Sequence, residues 1–313
     1  MLNFLSLAVK VQLNVHDLNN EAVAGNVTDI RMMDFLDEQG NRVEAPTVSG
    51  RMLKHWHLEA MRRFLSSGDL NSMKLCDGCK SGEPIRPGEI KNGMLKQVVK
   101  TEEEAVQNCS ICDVHGYLIA KGAEGDQEQG VSSRRTSRAM FSWLMPVLGT
   151  QTTTKQVIHN RVSADPKTMI PFNKSYASGF YGFVSVLDVE RIGLVESKLG
   201  EEKTYAVEDE ERKFRVRAAI DAYRLLISGQ LGASLSHAVP HANPIEVLVA
   251  YSTTGPLPFP VSPMYSDYIM KNKAIMPGYS ELLFWGDTEI AGLTKQESVD
   301  SLFNKVIEMV DLE

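Results

Sequence analysis

The sequence predicts an α+β fold, and three observations carry that prediction. First, Leu5, Leu7, Val9, Val11, Leu13 and Val15 alternate with Ser6, Ala8, Lys10, Gln12, Asn14 and His16. Period two over this length marks a strand with one buried face and one polar face. Second, helices are expected over 51–65 and 213–228, the first with an apolar stripe at helical spacing. Third, strands expected over 114–121, 180–187 and 245–251 complete the order strand, helix, strand, strand, helix, strand. That is the order of a ferredoxin-like or RRM-type domain. The whole chain, 1–313, is read as one such domain with long insertions at 69–130 and 131–178 and a C-terminal extension over 252–313.

Each element has its own signal. The polar face of the first strand ends in Asn14, His16 and then Asn19. A second strand or loop follows over 27–33, then a turn at Asp37-Glu38-Gln39-Gly40-Asn41. Helix 51–65 is led in by Thr47-Val48-Ser49-Gly50, with Ser49 as N-cap. Met52, Leu53, Trp56, Ala60 and Phe64 form its core stripe, while Arg51, His55 and Arg62 fall on another face. Residues 69–130 are polar, carry Pro84 and Pro87, and have too few apolar residues for a core of their own. Residues 122–137 form a loop that switches from acidic to basic. Over 139–178 an apolar cluster (Met140 to Val147) precedes a polar, basic stretch read as an extended ribbon or loop. The strand at 180–187 is apolar on both faces. Helix 213–228 is closed by Gly229. Four prolines between 253 and 263 mark an irregular connection, and 281–285 is a short strand. The last helix is expected to open on a capping box, Thr294-x-x-Glu297, with Val299, Leu302, Phe303, Val306, Ile307 and Val310 facing one way.

The strongest chemical signal is the cysteines. All four lie in two CxxC pairs, Cys76/Cys79 and Cys109/Cys112. Two such pairs are the usual donor set of a tetrahedral structural zinc. The 29 residues between them exceed the common gap of about 15–20, but loop-closure cost grows only logarithmically. His115 is a candidate to replace one sulfur. Disulfides and redox-active pairs are the alternatives. No secretory leader opens the chain, and a redox site needs only one pair. A metal can substitute for the core that 69–130 lacks.

Composition narrows the rest. Apolar residues make up 43% and charged residues 23%, ordinary for a soluble protein. No run approaches the roughly 20 apolar residues that span a bilayer, so no membrane partner and a cytoplasmic location are expected. Net charge is −7, yet the window 131–178 holds seven Lys/Arg (Arg134, Arg135, Arg138, Lys155, Arg161, Lys167, Lys174) against one acid, Asp165. A basic patch on an acidic body suits a protein that holds a polyanion at one place. Three segments could do so. The first is Ser49-Gly50-Arg51-Met52-Leu53-Lys54-His55-Trp56-His57, which taken alone is an amphipathic helix with a solvated basic face. His57 is its weakest candidate. The second is Lys155 to Arg161, with Arg134, Arg135 and Arg138 nearby in sequence. The third is the Gly/Ser loop Ser228 to His237, where glycines admit close backbone approach to phosphate; alone it is a C-cap and loop. It has no P-loop lysine. Nothing matches GxSxG, HExxH or a paired-carboxylate motif, though His55, His57 and His159 could serve acid–base chemistry on an RNA 2′-hydroxyl.

At these residues the chain resembles the DevR family of CRISPR-associated proteins. The resemblance rests on Asn14-Val15-His16, Val48 to His57, His159-Asn160-Arg161 and Gly232 to Ser236 before Pro240. It implies an RRM-like palm and a non-catalytic backbone subunit of a type I Cascade surveillance complex. Copies of the chain would polymerise along one CRISPR RNA (crRNA) beside other Cascade subunits. Each would push a thumb-like loop between bases and leave segments free to pair with the target DNA strand. The resemblance places RNA contacts at Ser49, Arg51, His55, His159, Asn160, Arg161, Gly232 and Ser236, with Lys54 and His237 beside them. Arg134, Arg138 and Lys155 join them as members of the basic segment. The cysteine insertion would be a finger-like elaboration.

Two other readings stand beside this one. One is an endoribonuclease of the same superfamily, for crRNA processing or target-RNA cleavage, with Asp29, Asp34 or Asp37 in the region where related type III subunits carry an aspartate. The other is a zinc-containing regulator that binds duplex DNA.

Overall fold

The structure, a computed structural model, describes residues 1–312 except 25–26, 67–73, 99, 122–130, 163–168, 199, 201–202 and 233–238. At its centre the strands Glu281–Gly286, His241–Ser252, Phe4–His16 and Met169–Asp188 lie side by side, each antiparallel to its neighbour. Ala139–Phe141 and Met145–Pro146 pair antiparallel with one end of Met169–Asp188. Val27–Ile30 pairs parallel with it further along, so the sheet is mixed. The alternation in the first strand fixes its facing: Leu5, Leu7, Val9, Val11 and Leu13 are fully buried against the helices Gly50–Ser66, Asp209–Ile227 and Val299–Asp311.

Four expectations need correction. The other face of the first strand is not simply polar. Ser6 and Ala8 are 1% exposed, because the chain after residue 252 folds back over that face. There Leu257 packs with Phe4, Val186 and Ala250, and Tyr268 with Ala8, Leu248 and Phe284. The segment 114–121 does not join the central sheet. Its first residues finish the helix Ser110–His115, and Tyr117–Lys121 pairs with Val131–Arg135 as a separate hairpin. The last helix starts at Val299, capped by Ser298 and Ser301, and Thr294–Lys295 is a short strand. Finally, 69–130 shares the main core. Ala105, Cys109, Ile111, Cys112, Val114 and Ile119 are buried in the same cluster as Leu53, Met61 and Leu65.

The ribbon read over 139–178 is present. Thr153–Val162 runs antiparallel to residues 169–178 of the long strand, with Lys155 opposite Tyr176 and His159 opposite Phe172. No helix among the described residues is long and apolar enough to cross a membrane.

Candidate nucleic-acid interface and metal centre

The helix Gly50–Ser66 begins where the sequence places it. The Ser49 hydroxyl accepts from Met52 N at 3.3 Å, the N-cap bond. Ser49 N donates to Asn19 Oδ1 at 3.2 Å, which ties the helix start to the end of the first strand. Gly50 is needed there: a Cβ would stand 2.6 Å from the Phe141 carbonyl. Arg51 and His55 are exposed and Lys54 is half-buried.

Arg51 and Lys54 are shared by two adjoining clefts. One, about 530 Å³, is also lined by Arg31, Ser49, Gly50, Met140, Phe141 and Trp143. The other, about 370 Å³, is also lined by His55, Cys79, Glu83 and Arg86. Burial and the neighbouring Arg86 charge push the Lys54 ammonium down to about 8. Arg31 and Arg86 carry no motif: they stand alone in segments 19 and 20 residues from the ends of the helix.

Of the Gly/Ser loop, Ser228 to Gly232 are described. The Trp56 indole donates to the Gly232 carbonyl. Gly232 abuts the end of the first strand, where a Cβ would lie 2.2 Å from His16 Cε1. His16 Nδ1 accepts from Leu18 N at 2.7 Å. Burial holds this imidazole down at about 4. Val15, next to it, has φ of 53°, a strained value for a β-branched residue. Ser236 and His237 lie outside the described residues.

The ribbon supplies a separate basic and aromatic face. Lys155 is exposed, as is Asn160 on the opposite face. His159 stacks on Phe172 with centroids 5.3 Å apart, and its Nε2 lies 3.3 Å from the Tyr176 hydroxyl. Arg161 lies in register with Ile170. Arg134 is exposed on its hairpin.

The charge window 131–178 overstates this surface. Arg138 is 1% exposed and pairs with Glu196, so it is an interior residue rather than a surface contact. Arg135 is buried against Asp113 and Glu102. Lys174 is buried against Asp17 at 2.9 Å. A local count cannot see acids that arrive from distant segments. Lys167 lies outside the described residues.

His57 belongs to the core. Its Nε2 donates to the Ala219 carbonyl at 2.9 Å, which leaves Nδ1 to accept from His115 Nε2 at 3.2 Å. Both rings are fully buried; burial drives His57 down to about 3 and His115 well below its ordinary value. They are neutral and neither faces the clefts as a catalyst. The three aspartates after the first strand are engaged as well. Asp34 takes Arg42 at 2.7 and 2.9 Å, Asp37 holds Asn41 N at 2.7 Å, and Asp29 accepts from Ser175 at 3.2 Å.

The four cysteine sulfurs lie within 4.8 Å of one another. Cys112 Sγ is 3.8 Å from Cys76 Sγ and 4.0 Å from Cys79 Sγ. Zn–S bonds of about 2.3 Å in a tetrahedron require S···S of about 3.8 Å. A disulfide needs about 2.05 Å. The donor set therefore fits a tetrahedral metal ion. His115 is not required as a ligand, since its Nε2 is given to His57. Hydrogen bonds from Cys109, Cys112 and Cys79 favour the Cys76 thiolate, and the same crowding opposes ionisation of Cys112. A cation would relieve that opposition. Each pair sits at a helix start, with Cys76 and Cys109 as N-caps of Asp77–Ser81 and Ser110–His115.

The fold is similar to that of chains in two solved CRISPR RNA-guided surveillance complexes. It superposes on a chain of a solved "CRISPR RNA-guided surveillance complex, pre-nicking" with a TM-score of 0.58, covering 98% of this chain and all of that one at 10% identity. A second "CRISPR RNA-guided surveillance complex" chain gives 0.54, covering 98% and 99% at 14% identity. The family model "CRISPR-associated negative auto-regulator DevR/Csa2" matches residues 7–273. The chain belongs to this CRISPR-associated DevR/Csa2 family. Similar curated proteins include a "CRISPR-associated protein Cas7/Cst2/DevR" of Methanocaldococcus jannaschii, 29% identical over 97% of this chain and 99% of that protein. A "CRISPR-associated aCascade subunit Cas7/Csa2 2" of Saccharolobus solfataricus is 26% identical over 95% and 93%.

Proposed function

We propose that this chain is a non-catalytic, crRNA-binding backbone subunit of a type I Cascade-like antiviral surveillance complex, acting in the cytoplasm. Copies would lie side by side along the guide RNA among other Cascade subunits, with the bases left free for the target DNA strand. The observation that carries this reading is the cationic surface at the start of helix Gly50–Ser66, where Arg51, Lys54 and His55 gather beside a capped helix end. Such a surface grips a phosphate backbone without reading sequence, which base pairing does instead. The names of the relatives and the fold of the surveillance-complex chains agree with it.

The strand order supports reading the centre as a ferredoxin-like palm, in which Ala139–Phe141, not 114–121, takes the second-strand position. The ribbon around Thr153–Val162 would be the thumb, with Lys155, His159, Asn160 and Arg161 as its contacts. The sulfur spacing supports a structural zinc.

The test is binding of a single-stranded RNA across a salt series. Arg51→Ala and Lys155→Ala are expected to weaken affinity about fivefold at 0.1 M salt, with the slope shallower by about 0.7 each. Unchanged affinity in both would refute the reading. So would preference for duplex DNA, or site-specific cleavage of repeat RNA that His55→Ala abolishes.

A further inference from the structure

Arg31 lines one, and Arg86 the other, of the two clefts that share Arg51 and Lys54. Arg31 Nε and Arg86 Nη1 are buried without a hydrogen-bond partner. Among the described residues that line the clefts, Glu83 is the only acid against five basic side chains, Arg31, Arg51, Lys54, His55 and Arg86. Cations half withdrawn from water with no paired carboxylate are costly unless an anion arrives.

Both arginines are held in place. Arg31 N donates to the Asn19 carbonyl and its own carbonyl accepts from Thr47 N, at 2.7 and 3.0 Å. Its guanidinium lies 5.8 Å from the Trp143 ring centre. Arg86 sits on the turn that follows Cys79. That turn is packed so tightly on the cysteine pair that a Cβ at Gly78 would stand 1.9 Å from the Ile85 carbonyl. Gln97 Nε2 holds the Arg86 carbonyl at 2.7 Å.

We propose that the two clefts form one groove for consecutive backbone phosphates of a single-stranded nucleic acid, with Arg86 and Arg31 as its outer phosphate-binding residues. This rests on the crRNA reading above and extends its contact set to segments that no motif marks. The lining selects the ligand. Met140, Phe141 and Trp143 lie beside the cations, and such apolar and aromatic surface rewards bases with a free face, which a duplex does not offer. The cysteine insertion then contributes a nucleic-acid contact of its own, through Arg86.

The experiment measures a labelled oligouridylate binding to the full, metal-loaded chain across a salt series. Arg86→Ala and Arg31→Ala are each expected to weaken binding about fivefold to tenfold at 0.1 M salt and make the slope shallower by about 0.7. Arg86→Lys keeps the charge and is expected to restore most of the slope. Affinities within twofold of wild type for both alanine variants overturn the proposal; if Arg51→Ala still weakens binding, the crRNA reading survives. A wild-type chain without affinity for the RNA overturns both. A poly-glutamate peptide that displaces the RNA at equal concentration would overturn it in favour of an acidic protein partner.

Discussion

Asp113, one residue after the second cysteine pair, is expected to be the most sensitive charged position in the protein. Its carboxylate is fully buried and accepts from Arg215 Nη1 at 2.9 Å, from Arg135 Nη2, and from Gly193 N at 3.0 Å. Glu102 and Glu211 each take a second arm of the two guanidiniums. Asp113→Ala leaves two buried cations with one carboxylate partner each, beside their backbone carbonyls, and orphans an amide. Removing one member of a buried pair costs about 3–5 kcal/mol. With unfolding entropy of roughly 2.1 cal/mol/K per residue, a chain of 313 residues loses roughly 1.5 °C per kcal/mol. Thermal unfolding should therefore fall by roughly 5–8 °C. A calorimetric scan of the metal-loaded protein measures it. A fall below about 2 °C would mean that Glu102 and Glu211 already neutralise the arginines, and the reasoning would be wrong.

Two more outcomes follow from buried groups. His16, His57 and His115 are all held below their ordinary value, so the folded state binds fewer protons than the unfolded state beneath pH 6.5. Stability is full above that pH and falls as the pH drops toward the folded values. At pH 5 the His16 and His57 rings each cost about 2 kcal/mol, and His16→Gln, far in sequence from the cysteines, is expected to remove one such share from the fall between pH 7 and pH 5. An identical fall in wild type and variant would contradict it. Gly232→Ala would press a methyl into His16 Cε1 and the Leu18 carbonyl, which cannot both give way. It is expected to cost about 1–3 kcal/mol and to shift Trp56 fluorescence by breaking the indole bond to Gly232; an unchanged spectrum would show that the loop is held elsewhere.

What could be read in the sequence was what depends on neighbours along the chain. The first strand declared itself by alternation, helix Gly50–Ser66 by its N-cap and stripe, and the gathering of the four cysteines by their spacing. What failed depended on partners far away. Ser6 and Ala8 looked like a solvent face because the segment that covers them lies some 250 residues later. The composition of the strand at 117–121 cannot name its partner, Val131–Arg135, and so places it equally well in the main sheet. Thr294 and Glu297 have the right letters for a capping box, but Ser298 and Ser301 make the actual one. Arg135, Arg138 and Lys174 look like surface charge in a local window, yet they pair inside with Asp113, Glu196 and Asp17.

The same logic explains why the groove was only half visible. Its centre, Arg51 and Lys54, is local and carries a helical pattern. Its ends are single arginines whose position is set by other contacts: Arg31 by the Asn19 and Thr47 backbone, Arg86 by the cysteine turn and Gln97. The Asn19 side chain in turn fixes Ser49 and so the helix start. A surface assembled from three segments in this way is only as ordered as the core that joins them. The second cysteine pair lies in that core, and Asp113 beside it anchors Arg135 and Arg215. Loss of the metal or of Asp113 should therefore blunt nucleic-acid binding without removing a single cation from the groove. That separates a fold defect from a contact defect: the first lowers affinity and stability together, and the second lowers affinity alone.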